Sequence, residues 1–272
     1  MGKAQSLCQT PAPATTTLGE VYTMRLVGML DSPYVRRVAV SLQLLGLRFE
    51  HEALSVFRTA KEFQQINPVV KAPTLVCDDG STLMDSTLIL EYAEALAWPH
   101  TLVPHGLPGL QRDLRLTGLA LAACEKSVQI VYERSLRPAE KRHEPWLNRV
   151  SAQLLAAYDT LENELVRAPL PLPENAMQRA GVAVATSWHF AQQVIADMVP
   201  ASRYPFLVEY SAQAERLPAF LAAPHGDGTY RPAEPHGRSN VPPPHRSGNQ
   251  DQLSGGLAGA AQPSGLPATV ED

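Results

Sequence analysis

Ser32-Pro33-Tyr34-Val35-Arg36-Arg37 decides the reading of this chain. Serine suits a helix N-cap, because its side-chain oxygen can accept a free amide of the first turn. Proline suits the next position, where a missing N–H costs nothing. Val35, Val38, Ala39, Leu42 and Leu45 then recur at helical spacing, and Gly46 supplies a stop. Immediately upstream, Met24-Arg25-Leu26-Val27-Gly28-Met29-Leu30 is an apolar run that reads as a buried strand. The order is strand, tight turn, helix, with Ser32 at the junction.

Working outward, Phe49 to Leu54 reads as a second strand and Ala60 to Ile66 as a short helix ending before Asn67-Pro68. Pro73 opens the apolar run Thr74-Leu75-Val76-Cys77, and Asp78-Asp79-Gly80-Ser81 turns it back into Thr82-Leu83-Met84 as a hairpin. Ser86 is expected to cap a helix whose Leu88, Ile89, Tyr92, Ala93 and Leu96 share one face. Strand–helix–strand–helix–strand–strand–helix is the order of an α/β thioredoxin-like domain, assigned to residues 24–98. Residues 99–109 contain Pro99, Pro104 and Pro108 and read as a linker.

Residues 110–221 show helical periodicity without hairpins, so an all-α helical-bundle domain is expected. Leu116, Leu119, Ala120, Ala123 and Ser127 line one long helix; Val150, Leu154, Ala157, Tyr158 and Leu161 line a second. A third is expected from Glu174 to Met198, and shorter ones after Pro205. Residues 1–23 offer little to bury and are expected to be a disordered arm, with Met24 as the natural start. Residues 222–272, rich in Pro and Gly, are expected to form a disordered tail.

Composition narrows the function classes. A length of 272 residues allows two modest cores, and a net charge of −4 gives no broad electrostatic reason to bind nucleic acid or an anionic membrane. No apolar run reaches the roughly 18 to 20 residues of a membrane span, and no secretory signal is readable. Cys8, Cys77 and Cys124 have no CxxC spacing and cannot all pair, which points to a reducing cytoplasm. No histidine has metal-ligand spacing with another His or Cys, so no metal is expected. Neither a phosphate loop nor a nucleophile–base triad signature is present.

Three pieces together carry a resemblance: the strand leading into Ser32-Pro33-Tyr34-Val35-Arg36-Arg37, then Asn67-Pro68-Val69-Val70-Lys71-Ala72-Pro73, then Asp85-Ser86. The chain resembles serine-type glutathione S-transferases, similar to the plant tau class and to bacterial members, over roughly residues 24–221 and most strongly over 24–97. The resemblance implies the glutathione transferase architecture, glutathione as co-substrate, a small apolar electrophile as second substrate, and a homodimer. It assigns Ser32 the hydroxyl that activates the glutathione thiol. It implies a cis Ala72-Pro73 bond whose Ala72 N–H and C=O pair with the cysteinyl backbone like an added strand. Lys71 then reaches the glycyl carboxylate, Ser86 holds the γ-glutamyl carboxylate at a helix N-terminus, and Asp85 holds the ammonium.

The chemistry is sufficient. Lowering a thiol from about 8.5 to about 6.5 needs roughly 2.7 kcal/mol. A hydroxyl donating to the thiolate contributes about 1.5–3 kcal/mol, and a helix N-terminus up to about 2. Omega-class relatives carry Cys at the position of Ser32 and run thiol–disulfide exchange; a hydroxyl forms no mixed disulfide, so Ser32 favours conjugation. Tyr34 is an alternative proton donor or a packing residue at the helix start. With Tyr132 and Trp188 it is a candidate for the electrophile pocket.

Three departures stand out. Val70 replaces the family's usual Gly, Asp85 is one methylene shorter than the common Glu, and Gln178-Arg179-Ala180-Gly181 lacks the family's Ser/Thr-x-x-Asp capping box. The last predicts lower stability by about 1 kcal/mol on the same fold. Two rival readings use that fold. One is a non-catalytic interaction protein similar to stringent starvation protein A, and the other a glutathione-dependent isomerase or dehalogenase.

Overall fold

The computed structural model describes residues 24–226 and 228–231. The arm over residues 1–23 and the tail beyond residue 231 lie outside them. A four-stranded sheet has the order β2-β1-β3-β4, with β1 Arg25–Val27, β2 Glu50–Glu52, β3 Thr74–Val76 and β4 Thr82–Met84. Leu26 faces His51 in the parallel β1–β2 pair and Leu75 in the antiparallel β1–β3 pair; Leu75 in turn faces Leu83. Helix α1 (Pro33–Leu44) connects β1 to β2, α2 (Ala60–Ile66) connects β2 to β3, and α3 (Ser86–Ala97) follows β4. This is the thioredoxin-like order that the sequence predicts.

Ser32 caps α1 as expected, Pro33 occupies its first position, and Gly46 follows the helix at φ +72°. Ser86 does not cap α3. Asp85 does, at φ +62° and ψ 135°, its Oδ1 accepting the Thr87 N–H at 2.9 Å, and Ser86 begins the helix. Carboxylate and hydroxyl cap equally well, so the two-residue Asp-Ser string left the choice to the turn geometry.

The second half is helical: α4 Leu107–Ser135, α5 Glu144–Arg167, α6 Arg179–Val194, α7 Pro205–Ala214 and α8 Pro218–Leu221. Helix α4 begins inside the expected linker, because Gly106 turns the chain at φ +77° and Pro108 opens the helix instead of breaking it. The third long helix is shorter than expected: Glu174–Ala176 is a separate 3-10 turn, and the helix ends at Val194. Helix α4 packs on α5 and α6, and α6 packs on α1, so one apolar core runs through both halves.

Two connections have no local signal. Asp113 of α4 is buried, accepts the Ala180 N–H at 2.9 Å and pairs with the Arg179 guanidinium at 3.0 Å. It caps α6 from a neighbouring helix, replacing the box that residues 178–181 lack. The start of the expected tail is also packed. Ala222 and Ala223 are buried, Tyr230 stacks on Phe49 with ring centroids 4.3 Å apart, and the Tyr230 N–H donates to His51 Nδ1. One aromatic ring and two alanines suffice to anchor a stretch whose composition reads as unfolded. Among the described residues no helix is long and apolar enough to cross a membrane.

Candidate functional site

The turn between β1 and α1 sets the position of Ser32. Gly28 has φ +140°, and a Cβ there would lie 2.7 Å from Val35 Cγ2 and 3.1 Å from Ala72 Cβ. Only glycine lets the chain leave β1 between the start of α1 and the loop before β3. Ser32 Oγ accepts the Val35 N–H at 3.5 Å, a long cap bond that uses a lone pair and leaves the hydroxyl proton for another acceptor.

The loop before β3 is held from below. Asn67 is buried; its Oδ1 accepts the Val69 N–H at 3.0 Å, and its Nδ2 donates to Thr74 Oγ1 at 2.8 Å. Thr74 Oγ1 donates to the Lys71 carbonyl at 2.7 Å. The Ala72-Pro73 bond is cis, as the resemblance implies. Val70 sits at φ +52°, the left-handed region that costs a β-branched residue most. Glycine would fit there without strain.

At the N-terminus of α3, Ser86 is buried and Asp85 exposed. Beneath them lies Arg37, 3% exposed, whose Nη1 donates to Ser86 Oγ at 3.0 Å and to Thr87 Oγ1 at 3.3 Å. Burial pushes the Arg37 guanidinium below its ordinary value, while Cys124 and Asp85 nearby act the other way. In the sequence Arg37 stands only as part of the Ser32-Pro33-Tyr34-Val35-Arg36-Arg37 motif. Two adjacent arginines between Val35 and Val38 mark a charge on a largely apolar helix, but nothing local says which of them meets the cleft.

These elements enclose a cleft of about 850 Å³. One wall carries Ser32, Lys71, Ala72, Pro73, Asp85 and Ser86; the other, from α4 and α6, carries Leu121, Val128, Tyr132, Phe190 and Val194. Tyr34 lines it too, and burial raises its phenol, with Cys124 and Glu125 adding to the effect, so it stays protonated at neutral pH. Phe57 meets Tyr132 edge to face at 5.6 Å. Glu125 also borders the cleft, held by Lys126 and Gln129.

Trp188 is not in the cleft. It is 3% exposed and packs edge to face on Tyr158 and Tyr204. Successive helical residues turn by about 100°, so Phe190 and Val194 share a face that Trp188 turns away from. Trp188 is therefore interior packing, the alternative that its helical spacing also allows, and not part of an electrophile pocket. Among the described residues no group of His, Cys, Asp or Glu is placed to hold a metal ion. Cys77 and Cys124 are buried and form no disulfide, and burial raises the Cys124 thiol to about 11, so Cys124 is not poised as a nucleophile.

Comparison with known proteins follows the same geometry. Residues 26–100 match the family model described as the glutathione S-transferase N-terminal domain. The uncharacterised GST-like protein YibF of Escherichia coli is 28% identical over 165 residues, which cover 61% of this chain and 81% of that protein. Residues 26–100 therefore carry a glutathione S-transferase N-terminal domain. Glutathione S-transferase U3 of Arabidopsis thaliana is 28% identical over 144 residues, 52% of this chain and 60% of its own length. A glutathione transferase family member from Pseudomonas fluorescens, solved with bound glutathione, superposes with a TM-score of 0.63 at 26% identity, covering 78% of this chain and 100% of that one. A glutathione S-transferase from Methylobacterium radiotolerans gives a TM-score of 0.68 at 23% identity and covers 78% and 97% of the two chains. The thioredoxin-like domain followed by helices is therefore the glutathione transferase architecture.

Proposed function

We propose that this protein is a glutathione transferase acting on small apolar electrophiles, with glutathione held chiefly by residues 24–98 and the electrophile by residues 110–221. The observation that carries the reading is the convergence of Ser32, Lys71, Ala72, Pro73, Asp85 and Ser86 on one cleft, opposite an apolar wall. Each residue then has a distinct task. Lys71 attracts the glycyl carboxylate, and the Ala72 backbone pairs with the cysteinyl amide. Ser86 donates to the γ-glutamyl carboxylate, and Asp85 attracts the ammonium.

The thiol loses its proton to water. The sulfur anion that remains accepts the Ser32 hydroxyl proton as a hydrogen bond and is further stabilised by the N-terminus of α1. Attack forms an S–C bond while the electrophile's leaving group departs with the electron pair of the broken bond. Tyr34, a half-buried phenol, shapes the cleft.

Calorimetry with glutathione and conjugation of a generic aryl halide test this reading. The wild type binds glutathione, and Ser32→Ala lowers turnover at least about tenfold, as loss of a hydrogen bond to a charged group requires. A wild type that binds no glutathione is a scaffold of the stringent starvation protein A type. A Ser32→Ala variant with full turnover removes Ser32 from its role.

A further inference from the structure

Arg36 and Arg37 are neighbours in one helix, both buried, yet their charges are treated differently. Arg36 makes a two-pronged ion pair with Glu215, both N···O distances 2.6 Å, and its Nε donates to the Ala223 carbonyl at 2.7 Å. Its charge is fully matched inside the fold. Arg37, among the described residues, donates to two neutral hydroxyl oxygens and to no carboxylate, and its buried Nε has no hydrogen-bond partner. Asp85 and Asp113 favour its charge from a distance, but neither is hydrogen-bonded to it. A buried cation without a directly paired carboxylate is unfavourable unless something else uses its field.

We propose that Arg37 is a positioning residue for the α-amino-acid end of the bound peptide. It orients the Ser86 and Thr87 hydroxyls toward the cleft and supplies the counter-charge to a carboxylate bound there. The inference rests on the glutathione reading and deepens it. Guanidinium is a donor only, so at Ser86 Oγ and Thr87 Oγ1 the hydroxyls must be the acceptors. Each hydroxyl then keeps one proton to give, and both residues line the cleft. Two hydroxyl protons, the free amides of the twelve-residue α3 and a cation directly behind them form a site for an anion.

Asp85 completes the selection. Its carboxylate takes the Thr87 N–H and faces the cleft as the one acidic group at this end of α3 that lines it. A cationic layer beside an exposed carboxylate matches a zwitterion, the carboxylate and ammonium of a free α-amino acid head. A peptide with an amide-linked or decarboxylated head leaves the Arg37 charge unmatched.

The test crosses protein and ligand variants in the full chain. Binding of glutathione and of γ-aminobutyryl-cysteinyl-glycine, which keeps the ammonium and lacks that carboxylate, is measured by calorimetry for the wild type, Arg37→Met and Arg37→Lys. Wild type is expected to prefer glutathione by more than about tenfold. Arg37→Met raises the Kd and KM for glutathione at least about tenfold, leaves kcat at saturating glutathione within about twofold, and binds the analogue as the wild type does. Arg37→Lys, which keeps the charge but loses the fork, falls between.

Equal weakening of both ligands assigns Arg37 a purely structural role and overturns the proposal, as does unchanged glutathione affinity in Arg37→Met. If Arg37→Met does not fold, the wild type alone decides: equal affinity for the two peptides overturns the proposal. A wild type that binds neither peptide overturns the transferase reading itself, and this inference with it.

Discussion

Removal of the Asp113 side chain tests whether a helix cap can be supplied from another helix. In Asp113→Ala the Ala180 N–H at the start of α6 loses its acceptor, and Arg179 loses its ion-pair partner. A lost cap costs about 1 kcal/mol. Breaking a fully buried ion pair costs about 3–5 kcal/mol, but Arg179 is 18% exposed and water recovers much of that. The sum is about 2–3 kcal/mol, or a fall of roughly 5–10 °C in Tm for a folded region of this size. Asp113→Asn keeps an oxygen for the Ala180 N–H and loses only the charge, so it is expected to cost about half as much. Urea denaturation followed by circular dichroism gives both values, with equal m-values confirming that the same cooperative unit unfolds. An Asp113→Ala variant within about 0.5 kcal/mol of the wild type refutes the remote cap. If Asn is as damaging as Ala, the charge and not the cap is what α6 needs.

Other substitutions test the site and its surroundings. Val70→Gly releases about 1–2 kcal/mol of left-handed strain and loses about 0.5–1 to backbone freedom, so a net gain near 0.5–1 kcal/mol is expected in the urea midpoint; a loss contradicts the strain argument. Tyr34→Phe should leave aryl halide conjugation within about threefold, because the phenol is not ionised and Ser32 is the thiolate's partner; a loss matching that of Ser32→Ala transfers the role to Tyr34. Burial depresses His51, His189 and His225, the last to about 4 with His189 and Arg36 adding to the effect and Glu215 opposing it. Unfolded imidazoles titrate near 6.5, so the unfolded chain binds more protons between about pH 4 and 6.5 and acidification destabilises the fold. The urea midpoint should therefore fall from pH 7 to pH 5, less so in His225→Gln, and a midpoint that rises toward pH 5 excludes this origin. Glu133 and Asp79, whose carboxyls are held low mainly by hydrogen bonds, respond only at lower pH and do not obscure that window.

What the sequence disclosed and what it withheld divide by chain separation. Ser32 with Pro33, the turn at Asp78-Asp79-Gly80-Ser81 and the limits of α2 rest on neighbours a few residues apart, and all are as read. The contacts that give the site its electrical character span 49 residues for Arg37 and Ser86, 67 for Asp113 and Ala180, and 179 for Arg36 and Glu215. No local pattern encodes them. The place of Trp188 is withheld for the same reason: periodicity says that α6 has faces, but only its neighbours α1, α4 and α7 decide which face meets the cleft. Asp85 and Ser86 show the intermediate case, where the string Asp-Ser predicts a cap and the turn geometry selects Asp85 as the capping residue.

The two adjacent arginines carry this argument furthest. In sequence they are equivalent, one step apart on a helix that buries nearly every residue. Their side chains leave that helix about 100° apart, so one meets the C-terminal helices and the other the start of α3. Arg36 finds a carboxylate, and its charge ends in structure; Arg37 finds two hydroxyls, and its charge is passed on to whatever binds above them. A substitution that exchanges these fates follows from the difference. A carboxylate introduced at Thr87 would neutralise Arg37 internally. Thr87→Glu is therefore expected to abolish the preference for glutathione over its decarboxylated analogue even if the protein is as stable as the wild type. Retained preference in a folded Thr87→Glu variant would mean that the field of Arg37 does not reach the cleft.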